Sequence, residues 1–158
     1  MFFNCTSLTS APELKATTLA TECCYDMFYG CTSLASAPNL LATKLAKSCY
    51  WQMFYGCTSL ASAPELKATT LATNCYYRMF NKCKLLTSVT MLAPSDQILK
   101  YTYCCNRWLY EAGTDETISS RILIVTDEAA YNALESKAYL PDIWKKGQCT
   151  VEYYTPKT

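Results

Sequence analysis

A repeat of 26 residues constrains the fold of this chain more than any other feature. The pair Met-Phe recurs at Met1, Met27, Met53 and Met79, each 26 positions after the last, and residues 27–38 are identical to residues 53–64. A fixed period between about 20 and 50 residues is typical of units that bury an apolar face by stacking on copies of themselves. We therefore predict a repeat protein with one core running through its units.

Each unit is predicted to contain one short strand and one short helix. Residues 60–66 (LASAPEL) are extended in character, and Pro64 limits the strand because its nitrogen cannot donate to a strand ladder. Leu71, Cys75 and Met79 then recur at i, i+4 and i+8, the spacing of a helical stripe. One strand and one helix in 26 residues is the plan of a leucine-rich repeat.

The chain divides into two predicted parts. Residues 1–109 hold four repeats (1–26, 27–52, 53–78 and 79–107) and the start of a last turn, with a final helix over 104–109. Residues 110–158 form a connector and a C-terminal capping segment. In that segment a polar, turn-forming stretch at 111–120 precedes a strand at 121–125, a helix at about 128–136 capped by Thr126 or Asp127, and an edge strand at 149–154. Pro141 interrupts the chain, and Trp144 supplies a large apolar anchor.

The repeat motif resembles a known family. The pattern MF-x-x-C-x-x-L-x-x-A-P-x-L, with L-A-x-x-C-Y before the next MF, is similar to the BspA-type leucine-rich repeats of surface proteins from host-associated bacteria. The resemblance covers residues 1–109, and the segment after residue 110 resembles the C-terminal capping regions of such proteins. It departs from the general leucine-rich pattern where an Asn or Cys ladder is replaced by Ala16, Ala42 and Ala68.

The resemblance implies a fold, a location and a role. The fold class is an α/β solenoid, a right-handed leucine-rich repeat superhelix with a C-terminal αβ cap. The implied function is a non-enzymatic binding module of a bacterial cell-surface or secreted protein, adhering to a protein or glycan outside the cell. An alternative is a structural spacer repeat without a ligand of its own, and a third is a thiol redox or metal-binding protein.

Charge and hydropathy exclude several partners. Charged residues make up 17% of the chain and the net charge is +1, which suggests neither a nucleic-acid partner nor a lipid headgroup. The apolar runs, such as 122–125, are far shorter than the about 20 residues that cross a bilayer, so no membrane insertion is predicted. Because Met1 opens a repeat in frame, we expect the sequence to be part of a longer protein.

The cysteines are predicted to be structural. Seven of the 11 fall in two repeat columns, Cys5, Cys31, Cys57 and Cys83 in one and Cys23, Cys49 and Cys75 in the other. That regularity indicates buried, reduced thiols acting as small hydrophobic groups, although equivalent cysteines of stacked units could also lie within disulfide range. The chain has no Cys-x-x-Cys and no histidine, so we predict neither a metal site nor a cofactor.

The absence of histidine also argues against an enzyme, because Cys-His and Ser-His-Asp arrangements are excluded. Two surfaces remain as candidate binding sites. One is an aromatic stripe, and the other is a strand face with a serine column and a partly acidic column. The competing interpretation is that the rings cover the outside of the repeats and the polar columns are simply solvated. The candidate residues are Tyr25, Trp51 and Tyr77 for the stripe, and Ser10, Ser36, Ser62, Glu13, Asn39 and Glu65 for the strand face.

Overall fold

The structure is a computed structural model that describes residues 1–157. Its strands are β1 (Ser88–Met91), β2 (Ile122–Val125) and β3 (Thr150–Tyr153), its α-helices are α1 (Ser95–Lys100) and α2 (Glu128–Ser136), and a 3₁₀ turn spans Asp142–Trp144. The strands form one open parallel sheet in the order β1-β2-β3, with Ser88 opposite Ile122 and Ile122 opposite Thr150.

The predicted α/β solenoid, a right-handed superhelix of leucine-rich repeats with a C-terminal αβ cap, is wrong. Within residues 1–157 the α-helices number two and the only multi-residue strands are the three of the parallel sheet, all of them from Ser88 onward. No strand and helix recur every 26 residues. The helix predicted from the stripe of Leu71, Cys75 and Met79 and the one predicted over 104–109 are absent, and turns occupy most of those positions.

Overlapping β-turns replace the predicted helices. We call these segments turn ribbons, and four of them occupy residues 21–30, 47–56, 73–82 and 102–113. In the second ribbon the N–H groups of Trp51, Met53 and Tyr55 donate to the carbonyl oxygens three residues earlier, at 3.1–3.3 Å. The intervening N–H groups point away from their own ribbon and are free to bond to a neighbouring one.

Neighbouring ribbons are joined by those intervening groups. The N–H groups of Ser48, Tyr50, Gln52, Phe54 and Gly56 donate to carbonyl oxygens of the third ribbon at 2.8–3.1 Å. The first and third ribbons each make five equivalent bonds to the ribbon that follows. Backbone polar groups are thereby satisfied without a helix or a regular strand, as burial requires.

The ribbons repeat every four residues, which explains why a helix was predicted. Every fourth residue has a positive φ, as at Ser48 (53°), Gln52 (52°) and Gly56 (70°). Pairs of residues therefore alternate between the core and the outside: Met53 and Phe54 are buried, whereas Tyr55 and Gly56 are partly exposed. A period of four is close enough to the helical 3.6 that a stripe at i, i+4 and i+8 fits both.

The extended segments of the first three units are only single bridges. Ser10 pairs with Ser36 and Ser62 with Ser88 in parallel orientation. The prolines two residues after Ser10, Ser36 and Ser62 carry no N–H, which limits the length of each pairing as predicted. Only β1, in the fourth unit, becomes a full strand, because residues 90–92 no longer contain the proline.

The elements of the last third of the chain were predicted correctly. Strand β2, helix α2 and edge strand β3 lie within or at the bounds inferred from the sequence, and the Asp127 side chain accepts from the Ala130 N–H at 2.8 Å as the helix cap. Trp144 is fully buried and donates from Nε1 to the Ala112 carbonyl at 3.0 Å. The short helix α1, in the lengthened fourth unit (residues 79–107), was not predicted.

One continuous apolar core joins the ribbons to the C-terminal elements. It extends from Cys24 in the first ribbon to Trp144 beyond α2, and the indole of Trp108 in the last ribbon donates to the Tyr139 carbonyl at 2.9 Å. The proposed division at residue 109 stays a prediction.

Candidate binding surfaces

The aromatic stripe is a stack of rings. The centroids of Tyr25 and Trp51 lie 5.7 Å apart and those of Trp51 and Tyr77 lie 4.2 Å apart, with interplanar angles of 16° and 28°. The Arg78 guanidinium lies 5.3 Å from the centroid of Tyr77. The structure thus brings the three predicted stripe residues together, each on its own ribbon.

A second stack contains the rings four residues after Tyr25 and Trp51, together with Phe3, which precedes the first ribbon. The rings of Phe3 and Tyr29 are 4.9 Å apart, those of Tyr29 and Tyr55 are 4.7 Å apart, and the Lys82 amine lies 5.7 Å from the Tyr55 centroid. The central ring of each stack has a neighbour on both faces. Outward-facing ring surface is therefore mostly edges, and the most exposed rings of the two stacks are those in the first unit, Phe3 (50%) and Tyr25 (37%).

A polar column follows the stripe. Asp26, Gln52 and Arg78 each come one residue after a stripe ring and have positive φ. The Trp51 Nε1 donates to the Gln52 Oε1 at 3.1 Å, but the Asp26 Oδ1 and the Arg78 Nε are buried without a partner among the described residues. Burial raises the pKa of the Asp26 carboxyl above its ordinary value.

The polar columns of the strand face are exposed and spread over three units. Ser10, Ser36 and Ser62 are exposed, as are the acidic-column residues Glu13, Asn39 and Glu65. The Ser62 and Ser88 hydroxyls are 3.1 Å apart, and the Glu13 carboxylate lies 3.6 Å from the Lys15 amine in a solvent-exposed pair. The columns therefore form a surface of small polar groups.

One part of this face is concave. A groove of about 540 Å³ contains Ser62 and Glu65 and is bounded by Ser88, Thr90 and Tyr154. The sheet places Tyr154 there, because its N–H donates to the Val125 carbonyl at 2.8 Å at the end of the β2–β3 pairing. Sequence reasoning missed Thr90 and Tyr154; the register of three parallel strands carries that information, and it is not visible in the repeat pattern.

The cysteine columns are buried as predicted, except at their exposed first-unit members. All 11 thiols are free, and eight are buried. Burial raises the pKa of the Cys57 thiol to about 12, so this group is protonated and structural rather than reactive. Three thiols of one column each tie their unit to the preceding one, at 2.9–3.1 Å: Cys31, Cys57 and Cys83 donate to the carbonyl oxygens of Phe2, Phe28 and Phe54.

Within residues 1–157, no group of three or more His, Cys, Asp or Glu side chains is arranged to hold a metal ion. None of the helices in the described part of the chain combines the length and apolarity needed to cross a membrane.

No family model, no curated protein and no solved structure matches this chain. The geometry of the two surfaces is therefore the basis for a functional proposal.

Proposed function

We propose that this protein is a non-enzymatic binding module that recognises a glycan in the groove beside Ser62 and Glu65. The observation that carries the proposal is the groove itself, in which two predicted strand-face residues, Ser62 and Glu65, line a concavity of ligand size. A small-molecule site is usually a concavity with a few convergent polar groups, and a sugar residue presents hydroxyl groups to such a site.

The side chains of the groove suit a carbohydrate. Ser62, Ser88 and Thr90 bring hydroxyl groups that donate and accept, and the Glu65 carboxylate accepts hydrogen bonds from sugar hydroxyls. Tyr154, which is 38% exposed, supplies ring surface for the apolar face of a sugar. Each polar contact contributes only about 0.5–1.5 kcal/mol, so recognition rests on several of them acting together.

The aromatic stripe is the weaker candidate. A ring binds a sugar or a peptide side chain mainly through its face, and both faces of Trp51 are already covered by Tyr25 and Tyr77. The same contacts favour a role for the stripe in holding ribbons together, as expected of the alternative in which the repeats are a spacer.

The proposed location is the cell surface or the extracellular space of a bacterium, and a protein ligand is the alternative to a glycan. Both rest on the resemblance of the Met-Phe and cysteine columns to BspA-type repeats. The broader role is adhesion.

The test is a glycan array, run beside an array of extracellular-matrix proteins, with the purified chain and matched variants. We expect glycan binding that is lost in Glu65→Ala and in Tyr154→Ser. Asn39→Ala is the control, because Asn39 occupies the same column outside the groove. Tyr25→Ser, Trp51→Ser and Tyr77→Ser, combined in one variant, report on the stripe.

Each outcome separates the candidates. Loss in the stripe variant with retention in Glu65→Ala would move the site to the aromatic stripe. Binding only to matrix proteins would replace the glycan by a protein ligand. Failure of the unmodified chain to bind either array would contradict the proposal and favour the spacer.

A further inference from the structure

Two cysteines in the first unit have a setting that the structural thiols lack. The sulfurs of Cys23 and Cys24 are 3.7 Å apart, and both residues line a cavity of about 280 Å³. Cys23 is exposed and Cys24 is 8% exposed. We call this cavity the dithiol pocket.

The repeat explains why the dithiol pocket exists. Cys24 stands in the column that Tyr50 and Tyr76 occupy in the next two units, where their rings stack 6.1 Å apart. The thiol is much smaller than the ring it replaces. Tyr50 therefore has no ring on its first-unit side, and it forms part of the wall of the pocket.

The rest of the wall is mainly apolar. Leu14, Leu19 and Leu40 line the pocket together with Met27, which brings a thioether. The polar members of the lining are Glu13, Lys15 and Thr18. Two thiols and a thioether in an apolar setting are the ligand types that select Cu(I) over harder cations.

We propose that the dithiol pocket binds one Cu(I) ion through the sulfurs of Cys23 and Cys24, with the Met27 thioether as the third ligand. Each thiol loses its proton on binding, so that one Cu(I) and two thiols give a bis-thiolate complex of charge −1 and two protons released to solvent. Glu13 and Lys15 both line the pocket and are paired at 3.6 Å, so their charges offset each other rather than that of the complex.

The spacing of the sulfurs fits a bent site rather than a linear one. With metal–sulfur bonds of about 2.3 Å, an ion bound to two sulfurs 3.7 Å apart has a sulfur–metal–sulfur angle of about 107°. That angle leaves room for a third ligand on the open side. Zinc is disfavoured, because its structural sites take four ligands and the described residues offer no cluster of three His, Cys, Asp or Glu.

A second pair of adjacent cysteines in the chain provides a comparison for Cys23 and Cys24. Cys104 and Cys105 are also adjacent, in the last ribbon, but both are fully buried. Both belong to the continuous core. Copper is therefore expected at the first pair and not at the second.

The pH dependence of binding follows from the proton balance. Because both thiols lose a proton when one Cu(I) binds, the affinity should rise steeply with pH, by up to about 100-fold for each pH unit, as long as both thiols are protonated in the free protein.

The experiment is an anaerobic titration of the fully reduced chain with Cu(I) in competition with a chromogenic Cu(I) chelator. We expect one tightly bound ion per chain. Cys23→Ser should weaken binding at least about 100-fold, and Met27→Leu should weaken it about tenfold. Cys5→Ser is the matched control, because Cys5 is an exposed thiol of the same unit outside the pocket, and it should bind Cu(I) like the unmodified chain.

A second variant guards against misfolding as an explanation. Cys24→Tyr introduces the residue found at positions 50 and 76, fills the pocket with a ring and removes one sulfur, so it should stay folded and lose the ion. Thermal unfolding of each variant checks the fold. Unchanged binding in Cys24→Tyr, equal loss in Cys5→Ser, or tighter binding of Zn(II) than of Cu(I) would each overturn the proposal.

Discussion

The turn ribbons require single residues in the left-handed backbone conformation, and each such residue costs free energy. Twelve non-glycine residues have positive φ, among them Gln52, Arg78 and Lys82. In such residues the close approach of Cβ to the backbone costs about 1–2 kcal/mol. The inter-ribbon hydrogen bonds compensate for that cost, because every ribbon needs the reversed φ to aim alternate N–H groups at its neighbour.

Alanine substitutions at Gly56 and Gly113 distinguish the free-energy cost of a positive φ from that of a steric clash. Their φ values are 70° and 68°, so alanine strains both alike. A Cβ at Gly56 would meet only Gly30 at 3.9 Å, whereas one at Gly113 would lie 2.7 Å from the Leu86 carbonyl oxygen and 2.8 Å from the Arg121 Nε. We expect Gly56→Ala to cost about 1 kcal/mol and Gly113→Ala at least about 3 kcal/mol in urea unfolding. Equal losses would contradict the close approach of Leu86 and Arg121 to Gly113.

Asp26 should destabilise the fold when it is charged. Its pKa is raised by burial, so the folded state favours the protonated carboxyl, and that stability is present below the ordinary value of 3.8 and lost as the pH rises through the folded-state pKa. Asp26→Asn should therefore increase stability at neutral pH by roughly a few tenths of a kcal/mol, since the site is partly exposed.

The pH dependence supplies the control for Asp26. The difference in unfolding free energy between the unmodified chain and Asp26→Asn should vanish at about pH 3, where the aspartate is protonated in both folded and unfolded chains. Urea unfolding of both proteins across this range measures it. A larger benefit of Asp26→Asn at acidic than at neutral pH would show that the carboxylate has a favourable partner.

At the scale of elements, the ring stacks should couple neighbouring ribbons. Trp51 and Tyr77 lie on successive ribbons with centroids 4.2 Å apart. A double-mutant cycle with Trp51→Ala and Tyr77→Ala should give a coupling of about 0.5–1.5 kcal/mol in urea unfolding. The pair Phe3 and Tyr77, which belong to different stacks and share no ring partner, is the control and should be additive. Coupling near zero for Trp51 and Tyr77 would mean that the stack does not join the ribbons.

The elements that the sequence predicts are those governed by local signals. Helix α2 has a capping Asp127 and an apolar face, and β2 is a run of β-branched and aliphatic residues. The turn ribbons could not be predicted, because nothing in a stripe such as Leu71, Cys75 and Met79 distinguishes a period of four from one of 3.6. The signal that would have helped is Gly30 and Gly56, which fall at a positive-φ position that recurs four and eight residues earlier as well.

The candidate binding residues were likewise predictable only where the sequence pattern alone determines their position. The repeat period was enough to place Tyr25, Trp51 and Tyr77 in one stack and the serines in one column, because equivalent residues of stacked units lie side by side. It could not show that stacking covers the ring faces, nor that Tyr154 and Thr90 join Ser62 and Glu65. Those contacts depend on side-chain orientation and on the pairing of β3 with β2.

For the whole molecule, the buried thiols predict a loss of stability in alkali. Burial raises the pKa of Cys49 and Cys57 from 9.0 to about 12, and it raises the pKa values of Cys75 and Cys83 as well. These raised values mean that the folded state favours the protonated thiols. Stability from these groups is fully present below pH 9.0, where the unfolded thiols are protonated, and is lost as the pH rises towards the folded-state values.

Because several thiols ionise together on unfolding, the free energy of unfolding should fall by more than about 1.4 kcal/mol for each pH unit above about pH 9.5. Urea unfolding under reducing conditions checks this slope, and Cys57→Ala should make it shallower. Cys5→Ala is the control, because Cys5 is exposed. A stability that stays constant up to about pH 11 would contradict the burial of the columns.

The one-way hydrogen bonding of the turn ribbons has a consequence for self-association. An ordinary strand edge alternates donors and acceptors and so can pair with a copy of itself. On the outer side of the first ribbon the Met27 and Tyr29 carbonyl oxygens accept from the N–H groups of Phe2 and Asn4. Over residues 21–25 that side shows only acceptors, because no backbone N–H of the described residues donates to the carbonyl oxygens of Thr21, Cys23 or Tyr25. Two such edges brought together would set carbonyl against carbonyl. This polarity alone thus disfavours pairing of residues 21–25 with the same residues of another copy.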